Sequence, residues 1–338
     1  MNTTNQKKNK RFPSLVLLLS SLIFIMFFVT LSTGVIPIAP MEVIQTLLLQ
    51  GTDQQELVLF DFRLPSIVLA ILIGAGLSVS GVILQAVTHN ELAEPGILGI
   101  NTGAGLAVVL FIYFFQDTMG ANMSTFVMPL FALIGALFAA LLIYVIAWKN
   151  GVSPIRLVLV GIGVNAGFSA ALIIFQLQMD PQNFRQATVW LSGDIWNPGW
   201  MSVLALLPWI LILSSYALYK ANVLNVLHMG DDVAAGLGAK VEKERRILLI
   251  IAVGLAGASV AAGGAIAFLG LIVPHIVRKL IGPHHQYIIP VSTLMGALLL
   301  MTADAIGKNV LTPTQVPVGI VVSILSAPYF VYLLMKSK

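Results

Sequence analysis

The chain has 338 residues, of which 58% are hydrophobic and only 9% are charged, and its mean hydropathy is +0.95. Soluble domains carry about 25% charged residues, so this composition excludes a soluble globular protein and indicates an integral membrane protein. The net charge of +4 does not indicate nucleic-acid binding, because the basic residues fall between apolar runs, and the lack of cysteine excludes disulfides and thiolate metal sites.

The N-terminus carries three lysines and an arginine within 7–11, followed by an apolar run over 15–36. That run is too long for the core of a signal peptide, and no clear small-residue cleavage site follows it. We therefore expect a cytoplasmic tail over 1–14 and a retained first span. The remainder, 15–338, is expected to form a single transmembrane domain.

Ten apolar windows are long enough to cross a hydrocarbon core. They lie near 15–36, 64–87, 97–115, 126–148, 155–177, 199–219, 247–262, 266–281, 288–306 and 317–335. As a single helix the stretch 247–281 would be about 50 Å long, which is too long for one span. We predict a break at Gly263 and Gly264.

The distribution of lysine and arginine supports ten spans with both termini in the cytoplasm. Basic residues of short loops stay on the cytoplasmic side, and in this topology 15 of the 18 do so, with only Arg63, Arg185 and Lys308 facing out. Treating 247–281 as one span changes the split to 12 and 6. The predicted fold class is therefore an all-α polytopic membrane protein with ten transmembrane helices.

Small residues crowd the span interiors, as in 74–81, 161–167 and 254–264. No GxxxxGK[ST] sequence occurs, so these glycines indicate close helix packing rather than a phosphate-binding loop. No nucleophile is paired with a base at membrane depth, and His284 and His285 on a basic loop are typical of solvated surface. We predict no catalytic residue, cofactor or metal site.

Asp304 is the one carboxylate inside the ten predicted spans, and Lys308 follows it by one helical turn. An i,i+4 ion pair at the outer rim is one interpretation, and a proton relay is the other. The ion pair is favoured, so energy would come from elsewhere. An ion-coupled secondary transporter remains the alternative function.

The largest loop between spans, about 220–246, mixes both charge signs around a small apolar patch. Asp231 and Asp232 are placed to cap a short helix that Gly238 would end. The loop is either an amphipathic helix on lipid headgroups or a docking surface for a cytoplasmic partner. Acidic residues on its polar face favour docking.

Two further polar features have open interpretations. Arg63 and Lys308 stand at outer span ends beside acidic loops, as interfacial anchors or as a docking site. The stretch HNELAEPGILGINTGAG at 89–105 is either an ordinary polar loop or irregular chain that lines a wet cavity, with a turn forced at Pro95 and Gly96.

Several motifs, in order from about residue 60 to the C-terminus, resemble one family: the permease subunits of binding-protein-dependent ABC importers for iron–siderophores, haem and vitamin B12. The motifs are FRLPSIVLAILIGAGLSVSGVILQAVTHNELAEPGILGINTGAG at 62–105, LGAKVEKERR after GDDVAAG, GAIAFLGLIVPHIVRKLIGPHHQ at 264–286 and VPVGIVVSILSAPYFVYLL at 316–334. The resemblance implies a type II ABC importer permease fold in a bacterial-type cell membrane. It also implies a second permease subunit, with the pore on the dimer axis, two cytoplasmic ATPase subunits and an extracytoplasmic substrate-binding protein.

The resemblance also implies roles for individual residues. Arg63 and Lys308 would dock the binding protein, and Asn90 and Leu92 would close the inner end of the pore. The residues that would couple to the ATPase are Asp231, Asp232, Ala235, Gly236, Leu237 and Gly238. The sequence departs from the family at Ser66, where many relatives have arginine, so docking would rest on fewer charges. It departs again at Glu91, where proline is usual.

By this resemblance the chain moves an iron–siderophore, or a related bulky chelate such as haem or cobalamin, into the cytoplasm by alternating access. ATP hydrolysis on a separate subunit would power transport, and the chain itself would have no enzymatic activity. The sequence leaves open which chelate is carried and whether the second permease subunit is identical.

Overall fold

A computed structural model of the protein describes residues 11–149, 151, 153–195, 199–312 and 314–336, leaving aside the side chains of 97, 117–126, 334 and 336. Fourteen α-helices follow one another over these residues: α1 (Phe12–Ser32), α2 (Pro40–Leu47), α3 (Asp53–Glu56), α4 (Leu64–Thr88), α5 (Ile100–Ala147), α6 (Pro154–Leu177), α7 (Pro181–Leu191), α8 (Trp200–Tyr219), α9 (Ala221–Leu227), α10 (Asp231–Gly236), α11 (Val241–Gly263), α12 (Leu269–Ile281), α13 (His285–Asn309) and α14 (Val318–Lys336). A π-helical turn (Leu57–Arg63) joins α3 to α4, and a 3-10 turn (Pro95–Leu98) precedes α5. The described chain is all-helical, as the sequence predicts.

Helix α4 lies at the centre of the bundle and packs against α11, α12 and α13. Its backbone comes so close to its neighbours that a methyl group at Gly74 would overlap the backbone of Gly296, and one at Gly81 would overlap Gly270. The Ser80 hydroxyl donates to the Ala252 carbonyl at 2.7 Å. The small residues of 74–81 therefore serve helix packing, as predicted. Within the described residues Gly163 and Gly167 have no group within 4 Å of an added methyl, so packing by 161–167 stays a prediction.

Helix α5 reverses direction near its middle. A methyl group at Gly103 would lie 2.6 Å from the carbonyl oxygen of Gly135, and the rings of Phe111 and Phe131 are 5.0 Å apart between centroids. A straight helix would separate Gly103 from Gly135 by about 48 Å. The two arms of α5 are thus antiparallel neighbours, and they match the predicted third and fourth spans.

The predicted break at Gly263 and Gly264 is present. Helix α11 ends at Gly263, Gly264 has φ +69°, and the chain is irregular until α12 begins at Leu269. Phe268, the residue before α12, also has positive φ. A residue other than glycine rarely adopts this conformation. Contacts with neighbouring elements must therefore stabilise the backbone of the 264–268 segment.

The helices differ sharply in how far the chain buries them. In their most apolar windows 89% of the residues are buried for the run containing α4 and 72% for α11, but only 11% for α6, 17% for α1 and 22% for α8. Exposed apolar side chains on the outer helices have the composition of surfaces that face lipid or another subunit. The core therefore surrounds α4, α11 and α13, with α1, α6 and α8 at the periphery.

Seven helices in the described part of the chain are long and apolar enough to cross a membrane, and Ile100–Gln116 and Val318–Leu333 are shorter apolar segments. Helix α12, with 13 residues including Pro274, is about 20 Å long, less than the hydrocarbon thickness. A multi-pass membrane protein is confirmed. The count of ten crossings and the cytoplasmic position of both termini stay predictions, as does the tail 1–14, of which only 11–14 are described.

Close backbone packing at Gly81 gives a testable contrast with Gly163, around which no other group lies within 4 Å of an added methyl. Alanine favours a helix over glycine by about 1 kcal/mol, so Gly163→Ala should leave stability unchanged or raise it. Gly81→Ala should instead lower it by about 1–3 kcal/mol, because the methyl overpacks the contact with α12. Thermal unfolding of the purified chains in detergent would measure both, and equal behaviour of the two variants would contradict this packing.

Candidate functional site

The predicted functional residues lie at opposite ends of the bundle. Arg63 precedes α4 and Asn90 follows it, and a helix of 25 residues is about 37 Å long. One end carries the residues predicted to couple and gate transport. The other carries the predicted docking residues, Arg63 and Lys308.

At the first end, residues 231–238 form a short helical projection, which we call the coupling segment. Helix α10 begins after Gly230 (φ +106°), and Gly238 (φ +83°) ends the turn. Ala234 is fully buried and holds the segment against the bundle. Five of the predicted coupling residues are exposed: Asp232, Ala235, Gly236, Leu237 and Gly238.

The predicted capping of α10 by aspartate is wrong. Gly230 occupies the N-cap position, and no side chain caps the helix. Asp231 instead receives both its hydrogen bonds from the buried Arg245, whose Nη2 lies 2.5 and 2.6 Å from the two carboxylate oxygens. Arg245 also binds Glu242 at 2.9 Å. This charged bond ties the coupling segment to α11, because an arginine buried without a partner would be costly.

The coupling segment and Met229, just before it, expose apolar side chains beside Asp232. Met229, Val233 and Leu237 are 63%, 45% and 64% exposed, and added methyl groups at Gly236 and Gly238 would have open space within 4 Å. A firmly anchored base with small residues and a few apolar side chains at its tip is suited to insertion into a groove of another protein.

The irregular chain between α4 and α5, residues 89–99, forms the second feature of this end, and we call it the gate segment. His89 leaves α4 with φ +51°. The Asn90 side chain then accepts a hydrogen bond from the Leu92 N–H at 2.9 Å, and the Asn90 carbonyl accepts from Ala93 at 3.1 Å. Asn90 and Leu92, the predicted gate residues, are both half-buried and are joined in one tight turn.

The gate segment is in direct contact with the helix that leads into the coupling segment. His89 Nε2 lies 2.6 Å from the carbonyl oxygen of Leu227, the last residue of α9. On the far side of α9, Asn225 binds Gln286 at 2.8 Å and the backbone N–H of His285 at 2.8 Å. The structure therefore brings the predicted coupling and gate residues together at one end.

His285 corrects a further expectation. It is fully buried, and its Nδ1 lies 2.8 Å from Asn225 Oδ1, so it belongs to the packing between α9 and α13 rather than to solvated surface. Within the described residues no three histidine or acidic side chains are grouped so as to hold a metal ion.

Glu91, which stands where proline is usual in the family, makes an ion pair at this end. Its carboxylate lies 3.4 Å from Arg278 Nη1 and 3.6 Å from His275 Nε2. Arg278 also donates to Gln85 Oε1 at 3.2 Å, and Gln85 donates to the Leu271 carbonyl at 3.0 Å. The replacement of proline thus adds a polar link from the gate segment to α12.

The deeper half of the gate segment is bonded to the other irregular segment, 264–268. Glu94 Oε2 accepts a hydrogen bond from the Phe268 N–H at 2.9 Å, and Asn101 donates to the Ile266 carbonyl at 3.3 Å. Asn165, from α6, donates to the Gly96 carbonyl at 2.8 Å. These side chains supply partners to buried backbone groups that have none within a helix.

Sequence reasoning did not assign a role to Glu94, Asn101 or Asn165. The signal was present for Asn165, since an amide among glycines in a membrane helix is costly unless it has a partner. Glu94 lay within the motif LAEPG, but its partner Phe268 is more than 170 residues away along the chain. No local pattern connects the two.

At the opposite end, Arg63 is bonded to its own chain. Its guanidinium donates to the carbonyls of Leu31 and Ile36, which encloses the turn after α1. Arg63 also lines a cavity of about 520 Å³ between α1 and α13. Arg63 is half-buried. A docking partner would therefore meet a guanidinium that is already positioned by its bonds to Leu31 and Ile36.

Lys308 forms the predicted i,i+4 ion pair with Asp304, at 2.6 Å, and also donates to the buried Ser66 hydroxyl. It lines the same cavity as Arg63 and a second one of about 420 Å³. An arginine at position 66 would place a second positive charge next to Lys308. Serine at this position instead accepts a hydrogen bond from the lysine. The structure supports the ion-pair interpretation of Asp304. It brings Arg63 and Lys308 to one cavity, while their role in docking stays a prediction.

The environment of Glu94 predicts a pH dependence of stability. Glu94 lies between α4 and α5, outside both helices, and burial raises its pKa from the ordinary 4.5 to about 7. The folded chain thus keeps a proton that the unfolded chain loses, so Glu94 contributes stability that is present below about pH 4.5 and is lost as pH rises to about 7.

Glu94→Gln keeps an acceptor oxygen for Phe268 but cannot ionise, so the fall in melting temperature between pH 5 and pH 8 should become shallower in that variant. Asp232→Asn, which removes an exposed carboxylate from the coupling segment, should retain the wild-type slope. Melting temperatures in detergent across this range would decide the matter, and identical slopes for wild type and Glu94→Gln would exclude the assignment.

Comparisons with known proteins identify the family of the chain. The model of the FecCD transport family matches residues 22–336. The iron(3+)-hydroxamate import system permease protein FhuG of Bacillus subtilis (strain 168) is 59% identical over 319 residues, covering 94% of this chain and 95% of FhuG. The iron-uptake system permease protein FeuC of the same organism is 43% identical, covering 94% of this chain and 96% of FeuC.

The fold agrees as well. A solved structure of a metal-chelate type ABC transporter in an inward-facing conformation matches with a TM-score of 0.82 and 28% sequence identity, covering 96% of this chain and 99% of that one. Sequence and fold agree along almost the whole chain, and this multi-pass membrane protein therefore belongs to the FecCD transport family.

Proposed function

We propose that this chain is the membrane-spanning permease of an ATP-driven importer and that it carries an iron–siderophore complex, of the hydroxamate class, into the cytoplasm. The substrate class rests on the 59% identity with a permease named for iron(3+)-hydroxamate import. ATP is hydrolysed on two separate cytoplasmic subunits, and a binding protein delivers the chelate from outside. Other bulky chelates are carried by relatives such as the hemin transport system permease protein HmuU of Yersinia pestis.

The observation that carries the mechanism is the contact between the coupling and gate segments. Leu237 projects from an anchored base, and His89, at the start of the gate segment, touches the last residue of α9. A displacement of the coupling segment by the ATPase is therefore transmitted through α9 to Asn90 and Leu92. The ATPase drives transport to the extent that it binds one conformation more tightly than the other.

A second permease subunit completes the pore in this proposal. Helix α6 presents Gly163 and Gly167 with no group within 4 Å of an added methyl, and Ile155 and Leu159 are 74% and 63% exposed. Small residues let membrane helices from different subunits approach closely. Both ends of the chain lie in the cytoplasm in this arrangement.

The alternative of an ion-coupled secondary transporter is less well supported. Such a carrier needs an acid at depth that can gain and lose a proton during transport. Asp304, the carboxylate that the sequence places inside a span, is bound at 2.6 Å to Lys308, which also donates to Ser66. An acid held by a cation in this way serves the structure of the outer rim.

Leu237→Glu should abolish coupling. A charge on the exposed tip would have to be desolvated in the groove of the ATPase, so we expect at least a tenfold loss of ATPase co-purification and of ATP-dependent uptake of a ferric hydroxamate in vesicles. Val310→Glu is the matched control for ATPase co-purification, which it should leave unchanged. Val310 is 63% exposed, against 64% for Leu237, but it lies at the opposite end of the bundle. Undiminished ATPase assembly with Leu237→Glu would refute the coupling role.

Arg63 should contribute charge to docking as well as holding its turn. Arg63→Lys keeps the charge and should retain most of the affinity for the binding protein, whereas Arg63→Gln should lower it about tenfold and weaken its salt dependence. Affinity would be measured with the transporter in nanodiscs at two salt concentrations. Equal affinity of Arg63→Gln and wild type would leave Arg63 with a structural role alone, as the bonds to Leu31 and Ile36 already provide.

A further inference from the structure

An apolar groove of about 300 Å³ opens on the side of the bundle between the second arm of α5 and α11. Ile143 and Leu249 form its floor and are 1% and 6% exposed, whereas Leu137, Leu141 and Ile250 form its lips and are 42%, 61% and 65% exposed. The groove belongs neither to the coupling and gate segments nor to the outer rim. Its exposed apolar lips face the hydrocarbon in a membrane.

One end of the groove is cationic. Arg246, the exposed neighbour of the buried Arg245, lines it and donates through Nε to the Tyr144 hydroxyl at 3.3 Å. The guanidinium carbon lies 5.5 Å from the ring centroid of Trp148. Tyr144 and Trp148 hold the guanidinium in place, and none of the described residues accepts a hydrogen bond from its terminal nitrogens.

Two further basic residues, Lys149 and Arg156, lie at the same end of α5. Arg156 donates to the carbonyls of Ala147 and Lys149 at 3.1 and 3.4 Å, which places it at the end of α5 beside Trp148. Glu242 approaches Gly151 and is bound to Arg245 at 2.9 Å, so its charge is already paired. Arg246 has the neighbouring cations Lys149 and Arg156 at this end of α5.

The groove has the dimensions of an acyl-chain site below a headgroup. From Tyr144 to Leu137 and from Arg246 to Val253 each helix runs seven residues, or about 10 Å, away from the cationic end. Tyrosine and tryptophan mark the level of the headgroups in membrane proteins. Basic pockets between membrane helices on the cytoplasmic side bind anionic lipid headgroups.

We propose that this groove binds a phospholipid with a net negative headgroup, such as phosphatidylglycerol or cardiolipin. Arg246 binds the phosphate, with Lys149 and Arg156 adding to the positive field, and one acyl chain lies between Leu141 and Ile250. A zwitterionic lipid is disfavoured, because its ammonium group would meet the same cations. The site sits on α11, the helix to which Arg245 ties the coupling segment.

Photo-crosslinking tests the site directly. The full chain is reconstituted with phosphatidylglycerol or phosphatidylcholine carrying a diazirine in the acyl chain, at equal mole fractions, and the labelled residues are mapped by mass spectrometry. We expect labelling within 137–144 and 246–253, at least about fivefold stronger for phosphatidylglycerol, which is the effect of one basic side chain near an anionic headgroup.

In Arg246→Gln, labelling by the two lipids should become equal. In Arg246→Lys part of the preference for phosphatidylglycerol should remain, and this result would exclude misfolding as the cause of the loss. Lys240→Gln removes one exposed positive charge outside the groove and should behave as wild type. Equal labelling by both lipids in the wild type, or a preference that survives Arg246→Gln, would overturn the proposal. Loss of labelling in the assembled transporter would do so too, because the groove would then be a subunit interface.

Discussion

One constraint explains several polar residues in this apolar chain: a buried backbone group without a partner in its own helix needs a hydrogen bond from elsewhere, since water is not available to it. The chain is irregular between helices at 89–99 and at 264–268. Glu94 binds the backbone of the second segment, and Asn165 binds that of the first. The gate segment thus gives a side-chain partner to the other irregular segment and receives one from α6.

The same bundle combines a rigid centre with a loosely packed periphery. Around α4 the backbones touch through Gly74 and Gly81, and such contacts leave no room for sliding. Helix α6 is largely exposed and is connected to the gate segment through Asn165. Conformational change is therefore expected where α6, α9 and the gate segment meet, while α4 links this end to Arg63 at the other.

Hydropathy and charge predicted the helical segments, the break at Gly263 and the reversal inside α5, because lipid imposes length and composition on each segment separately. The Asp304–Lys308 pair was also predictable, as one helical turn joins the two residues. The role of Asp231 was predicted wrongly. A cap is a local pattern, whereas its actual partner Arg245 comes from the next helix. His285 was misjudged for the same reason, since Asn225 buries it from another helix.

The sequence by itself determined that this is a membrane protein of many helices, which of its residues are polar at depth, and which family its motifs resemble. Only the tertiary structure decided which polar groups meet: Glu94 with Phe268, His89 with Leu227, and Arg246 with Tyr144 and Trp148. The physical reason is range. Hydrophobic length acts within one segment, whereas a hydrogen bond or ion pair acts over about 3 Å between segments whose proximity is set by packing of the whole bundle.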